Sequence, residues 1–198
     1  MSWQVKQAKA ARPPYRGLPV GVLMLLLAGC GCVATAAPPR LSFPVQSASA
    51  HYARTHHDYP AADIFAPCGT SVVAPVNSMV EETKTVDRWR RATDNPNERS
   101  GLLVALVDPR GVRYYGSHLA TVRVRPGQAV SRGAKVGTVG ETGNAAGTGC
   151  HLHFGLSRSC RTGWQIRRGK IAPQRYLDSW RNGGSLDPAP AIARLSCP

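Results

Sequence analysis

His151-Leu152-His153-Phe154-Gly155-Leu156-Ser157 reads as a β-strand in which two imidazoles flank one leucine. Side chains alternate between the two faces of a strand, so His151 and His153 project to the same side and Leu152 turns into a core. The same rhythm of short apolar runs recurs on the N-terminal side of this stretch, at Ala61–Phe65, Ser71–Val80, Leu102–Val107, Val112–Tyr115, Thr121–Val124 and Lys135–Val139. Gly69, Pro109-Arg110-Gly111, Pro126-Gly127 and the Gly140 to Gly149 segment punctuate the runs. Closely spaced strands joined by such turns predict a mainly β, single antiparallel-sheet domain. The charged, aperiodic segment Glu81–Ser100 breaks the rhythm and predicts a long surface loop, with Trp89-Arg90-Arg91 either a substrate contact or a solvated tip. Near the other end, Pro173 followed by Tyr176, Leu177 and Trp180, then Gly183-Gly184, predicts one short C-terminal amphipathic helix.

Residues 1–29 carry the pattern of an export signal. Lys6, Lys9, Arg12 and Arg16 precede the apolar stretch Leu18 to Ala28, whose 11 residues are too few to span a bilayer as a helix. The stretch ends in Leu27-Ala28-Gly29-Cys30, which resembles the signal after which a bacterial lipoprotein is acylated on its new N-terminal cysteine. The alternative is simple cleavage near Ala34-Thr35-Ala36-Ala37. Small residues, Pro, Ser and Ala follow, so a linker is set at 30–42 and the folded domain at 43–198.

Removing the four basic residues of that leader from the formal charge of +14 leaves +10 on the remaining chain. A cationic exported protein is drawn to polyanions, here anionic cell-wall polymers or a membrane surface. No recognition motif for nucleic acid accompanies the charge, so nucleic acid is excluded as a partner. Export also places the cysteines in an oxidising environment. Beyond Cys30 and Cys32 the chain has Cys68, Cys150, Cys160 and Cys197, with no Cys-x-x-Cys spacing that would suggest a thiolate metal site, and disulfide stapling is expected.

The six histidines are His51, His56, His57, His118, His151 and His153. His56-His57-Asp58-Tyr59-Pro60-Ala61-Ala62-Asp63 adds imidazole and carboxylate to the strand pair, and two His nitrogens with one carboxylate oxygen make a zinc set that leaves a fourth tetrahedral position open. His118 stands apart, in Tyr114-Tyr115-Gly116-Ser117-His118-Leu119.

Together these pieces resemble the lysostaphin-type (LytM-like) zinc endopeptidases of bacterial cell walls, whose motifs are His-x-x-x-Asp, a Tyr-x-His-Leu-like segment and His-x-His-Phe. The matching pieces are His57 to Asp63, Ser117-His118-Leu119 and His151-Leu152-His153-Phe154, and the similarity is strongest over 43–157. The resemblance implies a lysostaphin-like, duplicated-hybrid-motif fold, with one Zn2+ held by His57, Asp63 and His153. It implies His118 and His151 as the acid-base and oxyanion-stabilising groups, and peptidoglycan cross-bridge or stem peptides as substrate. The alternative function is a catalytically inactive member of the same fold that binds peptidoglycan or activates another wall hydrolase.

One departure concerns the first ligand, because five residues rather than three separate His57 from Asp63. His56 competes for the position. Strand parity favours His57, six residues from Asp63, whereas a bulge at Asp58 to Pro60 would favour His56. If zinc brings Asp63 near His153, Cys68 and Cys150 fall on neighbouring strands, which gives Cys68–Cys150 and Cys160–Cys197 as the expected pairing. Cys150 and Cys160 are held apart by the strand between them, at about 3.3 Å per residue.

Overall fold

A computed structural model of the chain describes residues 39–161 and 168–197; the leader, Cys30 and most of the expected linker lie outside them. Eight strands follow in order: β1 (Ala62–Phe65), β2 (Ser71–Val73), β3 (Ser78–Lys84), β4 (Leu102–Val107), β5 (Val112–Val122), β6 (Ala129–Val130), β7 (Lys135–Val139) and β8 (His151–Arg158). All pair antiparallel in one sheet, in the order β1-β8-β5-β4-β3-β6, while β7 pairs with β2 and with the far end of β5. Two short helices, α1 (Gln174–Arg181) and α2 (Ala189–Ile192), close the described chain.

Alternation along the strands creates one buried and one functional face. Ile64 pairs with Leu152, Ala62 with Phe154 and Tyr114 with Leu156, and all six are buried. Helix α1 covers this side: Trp180 meets the rings of Tyr114 at 6.4 Å and Phe154 at 6.2 Å between centroids, and Tyr176 and Leu177 are buried beside it. Each such large apolar side chain stabilises the fold by roughly 1.5–3 kcal/mol. Leu41, Phe43 and Val45 join the same core. The packed chain therefore reaches back to Leu41, just inside the segment read as linker.

Three sequence expectations change. The run Ser71–Val80 is two strands, because residues 74–77, which include Pro75, leave the sheet between β2 and β3. Strand β3 continues to Lys84, so the surface loop is shorter at its start than expected. The runs at Val112–Tyr115 and Thr121–Val124 belong to one strand through Gly116, where an added Cβ would stand 3.0 Å from Leu152 Cδ1; the glycine lets that leucine fill the core. The short helix α2 was not anticipated. Both expected disulfides are present, Cys68–Cys150 with Cα atoms 5.3 Å apart and Cys160–Cys197 at 5.7 Å.

Candidate metal centre

The face opposite the core carries the chemistry. Asp63 on β1 pairs across the sheet with His153 on β8, and His153 in turn with Ser117 on β5. Phe65 pairs with His151, so the two carboxylate and imidazole strands lie side by side as the alternation requires. Asp63 Oδ1 accepts a hydrogen bond from His153 Nδ1 at 2.8 Å. Burial opposes ionisation of Asp63, but the hydrogen bond from His153 and the positive potential of His153, His151 and His56 outweigh it and hold the carboxyl at about 2.

His56 completes the group. Its ligand atom, one from Asp63 and one from His153 all lie within 4.8 Å of one another. The side chain of His56 is only 4% exposed, whereas that of His57 is 72% exposed and turns to Asp58, with Nδ1 3.0 Å from Oδ1. The structure thus brings His56, and not the expected His57, beside Asp63 and His153. Residues 54–60 are not a strand: β1 begins only at Ala62, and alternation of faces has no meaning across the bends that precede it.

The environment of His56 suits a cation. Its Nδ1 donates to the Tyr59 carbonyl at 3.1 Å, which leaves a lone pair on Nε2, and Nε2 faces Asp63 Oδ2 at 3.7 Å. That separation is too long for a hydrogen bond. Burial lowers the pKa of His56, and the charge of His153 lowers it further, so the ring is held neutral with its lone pair turned on a carboxylate. A cation between two such electron-rich atoms would reconcile them, and the three side chains present fit a metal ion. His153 fits the same arrangement. With a metal on Nδ1 the ring proton sits on Nε2, and the Tyr59 hydroxyl at 3.2 Å and the Arg168 carbonyl at 3.4 Å are both in reach of it. The Arg168 carbonyl comes this close because Gly155 has no side chain: a Cβ there would lie 2.2 Å from it.

His118 and His151 stand beside this group, their rings 5.1 Å apart, with His118 5.9 Å from His153. Each Nδ1 is tied to a backbone carbonyl, His118 to Thr142 at 2.8 Å and His151 to Gly149 at 2.8 Å. A carbonyl can only accept, so Nδ1 carries the proton in both and Nε2 is left free to take or give one. Burial and the charges of His153 and His151 push His118 down to about 3, which keeps it in the basic form at neutral pH.

His118 reaches the site through a bulge. Leu102 pairs with Leu119 and Leu103 with Ser117, so His118 is the unpaired extra residue of β5, with φ at 64°. Its N–H is satisfied by the Ser100 carbonyl at 3.0 Å. In regular alternation the residue after Ser117 would face the core, and the bulge turns it to the other side. At this same point β5 leaves β8 and takes up β7 as its partner.

The residues line a groove of about 680 Å³, which also borders Tyr115 and, from the loop before β4, Pro96, Asn97, Arg99 and Ser100. Trp89, Arg90 and Arg91 do not line it. The Trp89 indole instead donates to Asp94 within its own loop, at 3.0 Å. Two further residues of the groove, Tyr59 and Arg168, carry no sequence pattern that marks them. Tyr59 is kept protonated, pushed up to about 12 by burial above all, and the Arg168 guanidinium lies 5.7 Å from its ring centroid.

The chain matches the profile of Peptidase family M23 over residues 57–167. Its fold is similar to that of the catalytic domain of lysostaphin from Staphylococcus simulans, at 22% identity over 66% of this chain and 93% of that one, with a TM-score of 0.51. A putative peptidase M23 from Pseudomonas aeruginosa gives 24% identity over 71% and 52% of the two chains and a TM-score of 0.52. For a putative glycyl-glycine endopeptidase LytM from Ruminococcus gnavus the values are 19%, 74%, 62% and 0.56. This chain thus spans nearly all of the lysostaphin domain but about half of the Pseudomonas protein. No curated protein sequence matches it.

Proposed function

Because the chain belongs to peptidase family M23, we propose that it is a zinc-dependent endopeptidase that cleaves cross-bridge or stem peptides of bacterial peptidoglycan. The observation that carries the reading is the His56 lone pair set against Asp63 at 3.7 Å, with His153 on the same carboxylate, in the wall of a groove. Zinc held by His56, Asp63 and His153 would supply Lewis acidity, lowering the pKa of water and polarising the scissile carbonyl.

The protein's own side chains account for the remaining needs of amide hydrolysis. His118 and His151 present free Nε2 atoms on one side of the three ligands. Their two Nε2 atoms are placed to take the proton of the attacking water, return it to the leaving amine and steady the charge on the carbonyl oxygen. Leu103 and Tyr115 line the groove and give it an apolar floor against which a peptide substrate would pack.

Purified protein incubated with isolated peptidoglycan is expected to release soluble peptides. Release stops when a chelator strips the metal and resumes on adding zinc. Release that persists after metal removal would sink the zinc mechanism, and binding to the wall without release would mark an inactive, wall-binding member of the fold.

We further propose that the chain is exported and anchored through an acylated Cys30, on the strength of the leader pattern and the cationic domain. Mass spectrometry of the mature N-terminus should find a lipid-modified Cys30 that Cys30→Ala abolishes. A free N-terminus near Ala37 would mean simple secretion.

A further inference from the structure

Both imidazoles of the metal centre rest on one residue of the segment between His56 and Asp63. His56 Nδ1 donates to the Tyr59 backbone carbonyl at 3.1 Å, and His153 Nε2 lies 3.2 Å from the Tyr59 hydroxyl. The Tyr59 ring stands against both, 4.7 Å from His56 and 5.7 Å from His153 between centroids. We propose that Tyr59 is the positioning residue of the metal centre, fixing through one side chain and its own carbonyl the tautomer and the aim of both histidine ligands. This rests on the reading that His56, Asp63 and His153 bind zinc.

The physical requirement is general. A histidine ligates through one nitrogen, and the partner of the other nitrogen decides which one is free and where the ring points. Here those partners are not scattered over the sheet. The six residues between His56 and Asp63 bend so that one of them serves both rings. The Tyr59 ring lies beside the Arg168 guanidinium, 5.7 Å from its centroid, with its hydroxyl in reach of His153 Nε2 and its backbone carbonyl on His56 Nδ1. The extra length of this segment thus supplies a brace that the strands alone do not provide. The Arg168 carbonyl, at 3.4 Å from His153 Nε2, is a weaker substitute for the hydroxyl and none for the Tyr59 carbonyl.

The test is zinc affinity of the full chain, measured by competition with a chromophoric chelator, for wild type, Tyr59→Phe and Tyr59→Gly. Tyr59→Phe removes the hydroxyl alone and is expected to weaken zinc about tenfold. Tyr59→Gly also frees the carbonyl and should approach a hundredfold, the range typical of partners that orient a ligand. The cobalt-substituted protein provides a second readout, since a reoriented histidine shifts its visible absorption bands in Tyr59→Phe. The melting temperature of the metal-free protein separates positioning from folding, and Tyr59→Phe should leave it unchanged. Wild-type affinity and spectrum in both variants overturn the proposal. So does a lowered metal-free melting temperature in Tyr59→Phe with unchanged affinity, which assigns the ring to folding alone. Absence of zinc binding in the wild type overturns the metal centre itself, and with it this inference.

Discussion

His153→Ala is expected to lose bound zinc and peptidoglycan hydrolysis together. The substitution leaves two candidate ligands and removes the partner of Asp63, whose carboxylate would then stand half-buried without its 2.8 Å hydrogen bond. Loss of a direct ligand should exceed the roughly 10–100-fold cost typical of removing an orienting partner. His56→Ala should behave the same way, since its Nε2 faces the same carboxylate. His57→Ala is the control: its ring is exposed and paired with Asp58, so zinc content and turnover should stay near wild type. Zinc content by elemental analysis decides the matter, and stoichiometric zinc in either His153→Ala or His56→Ala would remove that residue from the ligand set.

His118→Ala is expected to divide these two properties, keeping the metal while kcat falls by about 10²–10⁴, the usual contribution of a positioned general acid or base. The argument is geometric. His118 Nδ1 is committed to the Thr142 carbonyl, its Nε2 is free, and its ring stands 5.9 Å from that of His153 without belonging to the group of three ligand atoms. Turnover near wild type in a zinc-loaded variant would take His118 out of the reaction. Lost zinc would make it a ligand instead.

How much of this was legible in the sequence depended on whether a residue's position obeys a period. The placement of His151 and His153 on one face follows from alternation along β8, and Asp63 arrives at His153 because β1 is a regular antiparallel neighbour. The choice between His56 and His57 was not legible, since it lies in bends where no period applies. His118 was visible as a motif residue through resemblance alone, because a regular strand would have pointed it into the core. Tyr59 and Arg168 act across sequence separations of 94 and 15 residues from His153, and only folding brings them there. The one available signal for Tyr59 was its place inside the lengthened His-to-Asp segment. The merging of two expected strands into β5 was hidden by Gly116, which breaks an apolar run in sequence yet fills a packing requirement in space.

The bulge that aims His118 sets folding and chemistry at odds at a single position. A backbone at φ 64° is left-handed, a conformation that glycine adopts freely and that costs other L-residues roughly 1–2 kcal/mol. Backbone conformation alone favours glycine at 118, while the proton transfer proposed for this position needs an imidazole. Domains of this size are stable by only about 5–15 kcal/mol, so the compromise is a measurable fraction of the total. The size of the compromise can be read from the melting temperature of His118→Gly against wild type, where relief of the left-handed backbone is set against loss of the buried imidazole and its 2.8 Å hydrogen bond to Thr142.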